Sequence, residues 1–527
     1  MHQAEIIVLL FAVVAILAVL AHKITLPYPL VLVIGGLGLS FVPRLPEVNL
    51  DPKVVFYFIL PALLYPAGLF TSWRDFRRNL RPILLLAIGL VLVTTLAVAW
   101  VAHSIVPALP WAAAFALGAI VSPPDAVAAS AIIRRLGVPH RIQVILEGES
   151  LVNDATALVA LQFAVAALVT GTFSPTHAVT RFVWAAAGGI GCGLLVGMSI
   201  RWVQSHLDDP PIQITISLVT PFIAYLTAEH LQASGVLATV AAGIFLGWHS
   251  PLMITPRTRL QAYAFWETIV FLLNGFVFIV IGLQLPGILH AWNRELLTGA
   301  IISASIICAT VILVRFAWVT PAVYLSRLLK SERRGRDAIP SWQHIAIVGW
   351  AGMRGVVSLA AAFALPLALP DGRPFPARNY ILFVAFAVIL VTLVLQGLTL
   401  PLLIRKLGVP RDGETDEEER LARLQANKAA LEWIDKARTN GKFSQDAVER
   451  LRVEYDERIE QLKLCASNPD DCRGEIATPQ YQRLQHEALR VERRTIIRLR
   501  NERVINDDAL RRIQRDLDLA ETRLIGG

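Results

Sequence analysis

The feature that most restricts this chain is a succession of apolar stretches, each near 20 residues, running from Ile6 to about Val409 with only short charged, Pro or Gly interruptions. A helix needs about 20 apolar residues to cross a hydrocarbon core roughly 30 Å thick, so each stretch reads as a membrane-spanning helix. Cutting at the interruptions predicts thirteen spans, at about 5–22, 27–43, 53–70, 82–106, 111–133, 142–170, 179–204, 211–230, 233–249, 261–285, 297–325, 343–369 and 378–404. Over the whole chain 55% of residues are hydrophobic and 17% charged, too apolar for a soluble globular protein of this length. The first stretch follows Met1–Glu5 without a basic start or a small-residue cleavage site, and reads as a span rather than a signal peptide.

The basic residues test the count, because they should fall on alternate sides of the membrane. One side collects Lys23, the cluster Arg74, Arg77, Arg78 and Arg81, then Arg134, Arg135, Arg141 and Arg201. Arg257, Arg259, the group from Arg327 to Arg336, and Arg405, Lys406 and Arg411 fall on that same side. The other side has only Arg44, Lys53, Arg181, Arg294, Arg373 and Arg378. The basic-rich side is expected to be cytoplasmic, with the N-terminus outside and the C-terminus inside. The net charge of +8 is thereby accounted for by loops facing membrane lipid, without nucleic acid. Cys192 and Cys308 sit in apolar runs, and Cys465 and Cys472 in the charged tail, in no spacing that suggests a disulfide or metal site.

Residues 1–410 are therefore expected to form a transmembrane domain and 411–527 a cytoplasmic tail. The tail opens on the acidic run Glu414–Glu419 and continues with apolar residues at helical spacing. Among them are Leu421, Leu424, Leu431 and Ile434, then Leu451, Tyr455, Ile459 and Leu462, and a last helical stretch from Leu484 to Leu524.

Polar groups inside a span are costly and need a partner or a task. The sixth span carries Glu147-Gly148-Glu149-Ser150-Leu151-Val152-Asn153-Asp154 between apolar flanks. At about 100° per residue, Glu147, Glu149, Ser150, Asn153 and Asp154 fall within an arc of roughly 160°. A helix face made of carboxylate, amide and hydroxyl oxygens suits a hard monovalent cation. Desolvation disfavours the charged form of a carboxylate, so Asp154 is placed to take either a proton or a cation.

The fifth span contains Ser122-Pro123-Pro124-Asp125, where two prolines remove two backbone donors and must break the helix. Broken backbone at membrane depth is tolerated only when buried or lining a cavity, and its freed carbonyls could join Asp125 in a cation site. The plainer reading is a proline kink with Asp125 capping the next half-helix. In the twelfth span, Gly349-Trp350-Ala351-Gly352-Met353-Arg354-Gly355 suggests a second break, with an arginine that needs a partner among the sixth-span carboxylates. The two breaks lie seven spans apart, which hints at two six-helix repeats of inverted topology joined by the seventh span. Glu229 and Asn274 read as a rim residue and an interhelical hydrogen-bonding group.

Three motifs in this order, Ser122-Pro123-Pro124-Asp125-Ala126-Val127, Gly148-Glu149-Ser150-Leu151-Val152-Asn153-Asp154 and Gly352-Met353-Arg354-Gly355-Val356-Val357-Ser358-Leu359, resemble the bacterial sodium/proton exchangers of the cation:proton antiporter-1 family. The resemblance covers about residues 5–406 and leaves out the tail. It implies an all-α antiporter fold of thirteen helices, in which a core bundle with crossed, unwound fifth and twelfth helices moves against a dimerisation bundle. It further implies that Asp154 is where cation and proton compete, with Asp125, Ser150, Asn153 and Ser122 around the Na+ and Glu149 paired to Arg354 as a structural bridge. Asn153 before Asp154 implies electroneutral exchange. Family members with a hydroxyl residue before the fifth-span aspartate differ from this chain, which has Pro124 there.

The implied protein is a homodimer in the cell membrane, without cofactor, whose substrates are Na+ or Li+ and H+; K+/H+ exchange on the same fold is the alternative. An intramembrane protease would want Gly-x-Gly-Asp or Gly-x-Ser-Gly. The nearest match, Gln232-Ala233-Ser234-Gly235, lacks the first glycine. A passive channel would show a filter repeat instead of one carboxylate face.

Overall fold

The computed structural model describes residues 3–24, 27–42, 51–125, 136–171, 175–290, 294–328, 342–369, 372–409, 413–439 and 443–467, together with 129–130, 132–133 and parts of 488–519. The basic residues Arg134, Arg135 and 330–336, Cys472, and much of the tail stretch from Leu484 to Leu524 lie outside the described residues.

Among the described residues every regular element is helical, apart from one isolated bridge between Ala368 and Pro374. In chain order the helices are α1 (Gln3–Lys23), α2 (Tyr28–Leu39), α3 (Pro52–Leu69), α4 (Trp73–Arg78), α5 (Leu80–Ile105), α6 (Trp111–Val121), α7 (His140–Thr170), α8 (Pro175–Gln204) and α9 (Pro210–His230). They continue with α10 (Gly235–Met253), α11 (Pro256–His290), α12 (Arg294–Leu328), α13 (Trp342–Trp350), α14 (Val356–Phe363), α15 (Arg378–Leu407), α16 (Gly413–Thr439) and α17 (Gln445–Ser467). Each of the thirteen expected segments overlaps helical structure among the described residues. Among the described residues, eight of the helices are long and apolar enough to cross a membrane, and Val8–Lys23 within α1, together with α2 and α6, are shorter apolar helices.

Local chemistry sets the ends. Ser72, Asp209 and Ser234 accept a backbone N–H in the first turns of α4, α9 and α10. Gly171, at φ 68°, closes α7 in the left-handed conformation. Helix–helix contact in a bilayer relies on close backbone approach over small residues. On α10, a Cβ added to Gly243 would strike the Tyr65 carbonyl and one on Gly247 the Leu69 carbonyl, so this Gly-x-x-x-Gly pair fits α10 against α3.

The chain divides into two compact units, Met1–Arg411 and Asp412–Gly527. In the first, an alanine-rich core joins α5, α6, α12 and α15 through Ala99, Ala113, Leu117, Ile307 and Val384. A second core surrounds the break between α13 and α14, where Ile347, Met353 and Val356 meet Leu393 and Leu400 of α15. In the second unit α16 and α17 pack as a pair over Ile434, Val448 and Ile459, with Arg452 and Asp435 3.2 Å apart. Leu421 and Leu451 remain exposed.

Three stretches widen to π-helical geometry: Val55–Ile59 in α3, Leu85–Leu90 in α5 and Thr392–Gln396 in α15. The last of these flanks the site described next.

Candidate ion site at two crossed breaks

The helix at Trp111–Val121 stops where Pro123 and Pro124 withdraw their N–H groups, and Ser122–Asp125 runs on without helical structure. Residues 351–355 likewise interrupt the twelfth expected span, between α13 and α14. The two interruptions meet: the Asp125 backbone N–H donates to the Met353 carbonyl at 2.7 Å. Gly355 makes this crossing sterically possible, since a Cβ there would fall on the Asp125 carboxylate.

The sixth-span residues face this crossing from α7. Asn153, fully buried, donates its Nδ2 to the Pro124 carbonyl at 2.7 Å, leaving its Oδ1 without a partner among the described residues. Asp154 is 6% exposed and close enough to Asp125 for their charges to interact. No basic side chain among the described residues pairs with it. Ser150 is half-buried one turn earlier on α7. The Ser122 hydroxyl, also fully buried, donates to Ala119 O at 3.0 Å, which spends its proton and leaves its lone pairs.

Glu149 corrects the expected ion pair. Its carboxylate takes a bidentate fork from Arg315 of α12, at 2.6 and 2.9 Å, with both side chains at most 1% exposed. Arg354 instead points at backbone. Its Nε donates to Val121 O at 3.1 Å, its Nη2 to Ser122 O at 3.5 Å, and its Nη1 to Gly352 O. The physical reason lies in the break itself. Carbonyls at the C-terminal end of a half-helix have lost their intrahelical donors and carry the negative end of the dipole, so a guanidinium satisfies them without a carboxylate.

Arg315 does the same for the other half-helix, donating its Nε to Val348 O at 3.0 Å in the last turn of α13. The Arg354 backbone N–H is satisfied in turn by the Thr392 hydroxyl at 3.1 Å, on the π-helical turn of α15. The carbonyls expected to be free for a cation are therefore mostly engaged: Val121 and Ser122 by Arg354, and Pro124 by Asn153. Arg315 escaped the reading of the sequence, although a lone arginine between Val314 and Phe316 in an apolar run carries the same signal as Arg354.

Discontinuous helices crossing beside a buried, unpaired carboxylate define an ion-coupled secondary transporter. The family described as sodium/hydrogen exchanger, transmembrane, matches residues 8–406, and the chain belongs to it. An uncharacterised Na+/H+ exchanger of Mycobacterium bovis is 37% identical over 99% of this chain and 96% of its own length. A sodium, potassium, lithium and rubidium/H+ antiporter of Bacillus subtilis is 34% identical over 83% of this chain and 66% of its own. The fold is also that of the sodium proton antiporter MjNhaP1 from Methanocaldococcus jannaschii, solved at pH 8, with TM-score 0.61 at 18% identity, covering 76% of this chain and 97% of that one.

Proposed function

We propose that this chain exchanges Na+ or Li+ for H+, one for one, through competition of the two ions for the Asp154 carboxylate. The observation that carries this reading is Asp154 itself: an aspartate 6% exposed, with no cationic partner among the described residues, beside two crossed helix breaks. A buried carboxylate without a counter-ion is strongly disfavoured, and either a proton or a monovalent cation relieves it. Asp125 adds a second carboxylate from the fifth-span break. Asn153 Oδ1, the Ser122 lone pairs, Ser150 and water supply the neutral oxygens that a hard cation takes.

Glu149 and Arg315 hold the surrounding helices, while Arg354 holds the carbonyls of the break. Neither arginine takes part in the exchange. Alternating access comes from movement of the helices that carry the crossing relative to the rest of the membrane unit. No cofactor is required.

The basic loops support a plasma-membrane protein with its N-terminus outside and residues 411–527 in the cytoplasm, acting in pH homeostasis as a homodimer. The Bacillus subtilis relative, whose name includes potassium, supports a second reading in which K+ replaces Na+, because carboxylate and amide oxygens alone do not select between ions that differ mainly in radius.

Everted membrane vesicles with an imposed pH gradient test the proposal. Sodium or lithium should collapse the gradient, Asp154→Asn should abolish the response, and clamping the membrane potential should leave it unchanged. Full activity in Asp154→Asn overturns the exchange site, and a response to potassium alone selects the second reading.

A further inference from the structure

The side of α7 turned away from Asp154 borders a cavity of about 590 Å³. Val152, Ala155, Thr156 and Val159 line it from α7, spaced as one helix face and centred roughly 150° around the helix from Asp154. Leu237, Ala241 and Ile244 of α10 form the opposite wall, with Ala186 and Ile190 of α8 and Ile88 of α5 beside them. Its two hydroxyls are already engaged within their own helices: Thr156 donates to Val152 O, and Ser234 accepts from Leu237 N–H. The remaining surface is almost wholly apolar.

A void of this size forfeits dispersion contacts along the helix that carries the exchange carboxylate. Its lining excludes ordered water, which needs polar partners. Leu84 and Ile190 border the cavity and are 37% and 44% exposed, so it opens onto the outer surface of the helices, where the membrane lies. One end is framed by Trp73 and Trp248, the residue type that marks a membrane–water boundary. There the Arg74 guanidinium lies over the Trp248 ring, 5.6 Å from its centre. The opening thus joins an apolar slot to a positive charge at headgroup level.

We propose that this cavity is a phospholipid site, with an acyl chain lying along the back of α7 and the headgroup phosphate on Arg74. A methylene chain fills the space yet adapts when its walls move, whereas interlocked side chains would resist. The occupant therefore lets α7 shift past α8 and α10 during transport.

Two sets of variants test this in protein purified in mild detergent, delipidated and re-exposed to dioleoyl phosphatidylglycerol, with bound lipid counted by native mass spectrometry. The unaltered protein should hold about one phospholipid per chain in this slot. Leu237→Trp with Ala241→Phe, which fills the slot from α10, should abolish that binding. Arg74→Ala, an exposed position with little bearing on folding, should lower it at least fivefold. In liposomes the filled variant should lose maximal exchange rate while keeping its half-saturating cation concentration. The proposal is overturned if the unaltered protein binds no phospholipid, or if both the filled variant and Arg74→Ala bind as much as it does. Lipid counting does not depend on exchange, so the lipid site and the exchange reading fail separately.

Discussion

Replacing Arg315 by leucine should be the most destabilising single change in the membrane unit, and its rescue identifies the true partner of Glu149. The substitution strands a carboxylate that is 1% exposed and removes two short charge-assisted bonds, at 2.6 and 2.9 Å. Breaking a buried pair from one side costs about 3–5 kcal/mol, most of it the penalty of the charge left behind. Loss of the bond to Val348 O adds about 1–2 kcal/mol. Removing both charges, in Arg315→Leu with Glu149→Leu, eliminates the stranded carboxylate and should recover at least about 2 kcal/mol of that loss. The same leucine at 149 should not rescue Arg354→Leu, because Arg354 donates to carbonyls that remain unsatisfied in the double variant. Thermal unfolding in detergent, followed by the fraction of monodisperse protein, ranks the four variants. The pairing is refuted if Glu149→Leu rescues Arg354→Leu as well as it rescues Arg315→Leu.

Other substitutions probe the crossing itself. Gly355→Ala places a methyl group against the Asp125 carboxylate and should raise the half-saturating sodium concentration at least tenfold, equivalent to about 1.4 kcal/mol, in the vesicle assay. Thr392→Val leaves the Arg354 backbone N–H buried and unpaired, and should cost about 1–3 kcal/mol in detergent melting with little change in cation dependence. Asn153→Ala frees the Pro124 carbonyl and removes one oxygen beside Asp154, so it should lower both stability and sodium affinity. Gly243→Leu, which drives a side chain into the Tyr65 carbonyl, should separate α10 from α3 and reduce the yield of folded protein.

The helices were legible because solvent imposes them. A backbone in hydrocarbon must satisfy its own hydrogen bonds, so apolar length alone locates each span. The break at Pro123-Pro124 was legible from the missing donors, and the one around Gly352 and Gly355 from glycines in an apolar run. What sequence could not decide was which arginine meets Glu149. Arg315 and Arg354 are both single cations in apolar helices, and their separate fates depend on which half-helix ends they reach in three dimensions. The engagement of the Val121, Ser122 and Pro124 carbonyls was hidden for the same reason, since a break announces free acceptors but not the donors that fold onto them. The π-helical turn that presents Thr392 to the Arg354 N–H leaves no signature in composition or spacing.

The paired arginine caps also bear on stoichiometry. The arginines meet the carbonyl ends of α6 and α13, and the formal side-chain charges around them set the balance. Arg315 and Arg354 exceed Glu149 by one positive charge, and Asp125 with Asp154 turns that surplus into one net negative charge. A single sodium ion neutralises it, and so does a single proton. In the proposed one-for-one exchange, these five side chains with either substrate bound would carry no net charge, and the occupied crossing would pass the low-dielectric layer without moving charge against the membrane potential. A second carboxylate at position 153 would upset that parity and couple the exchange to voltage.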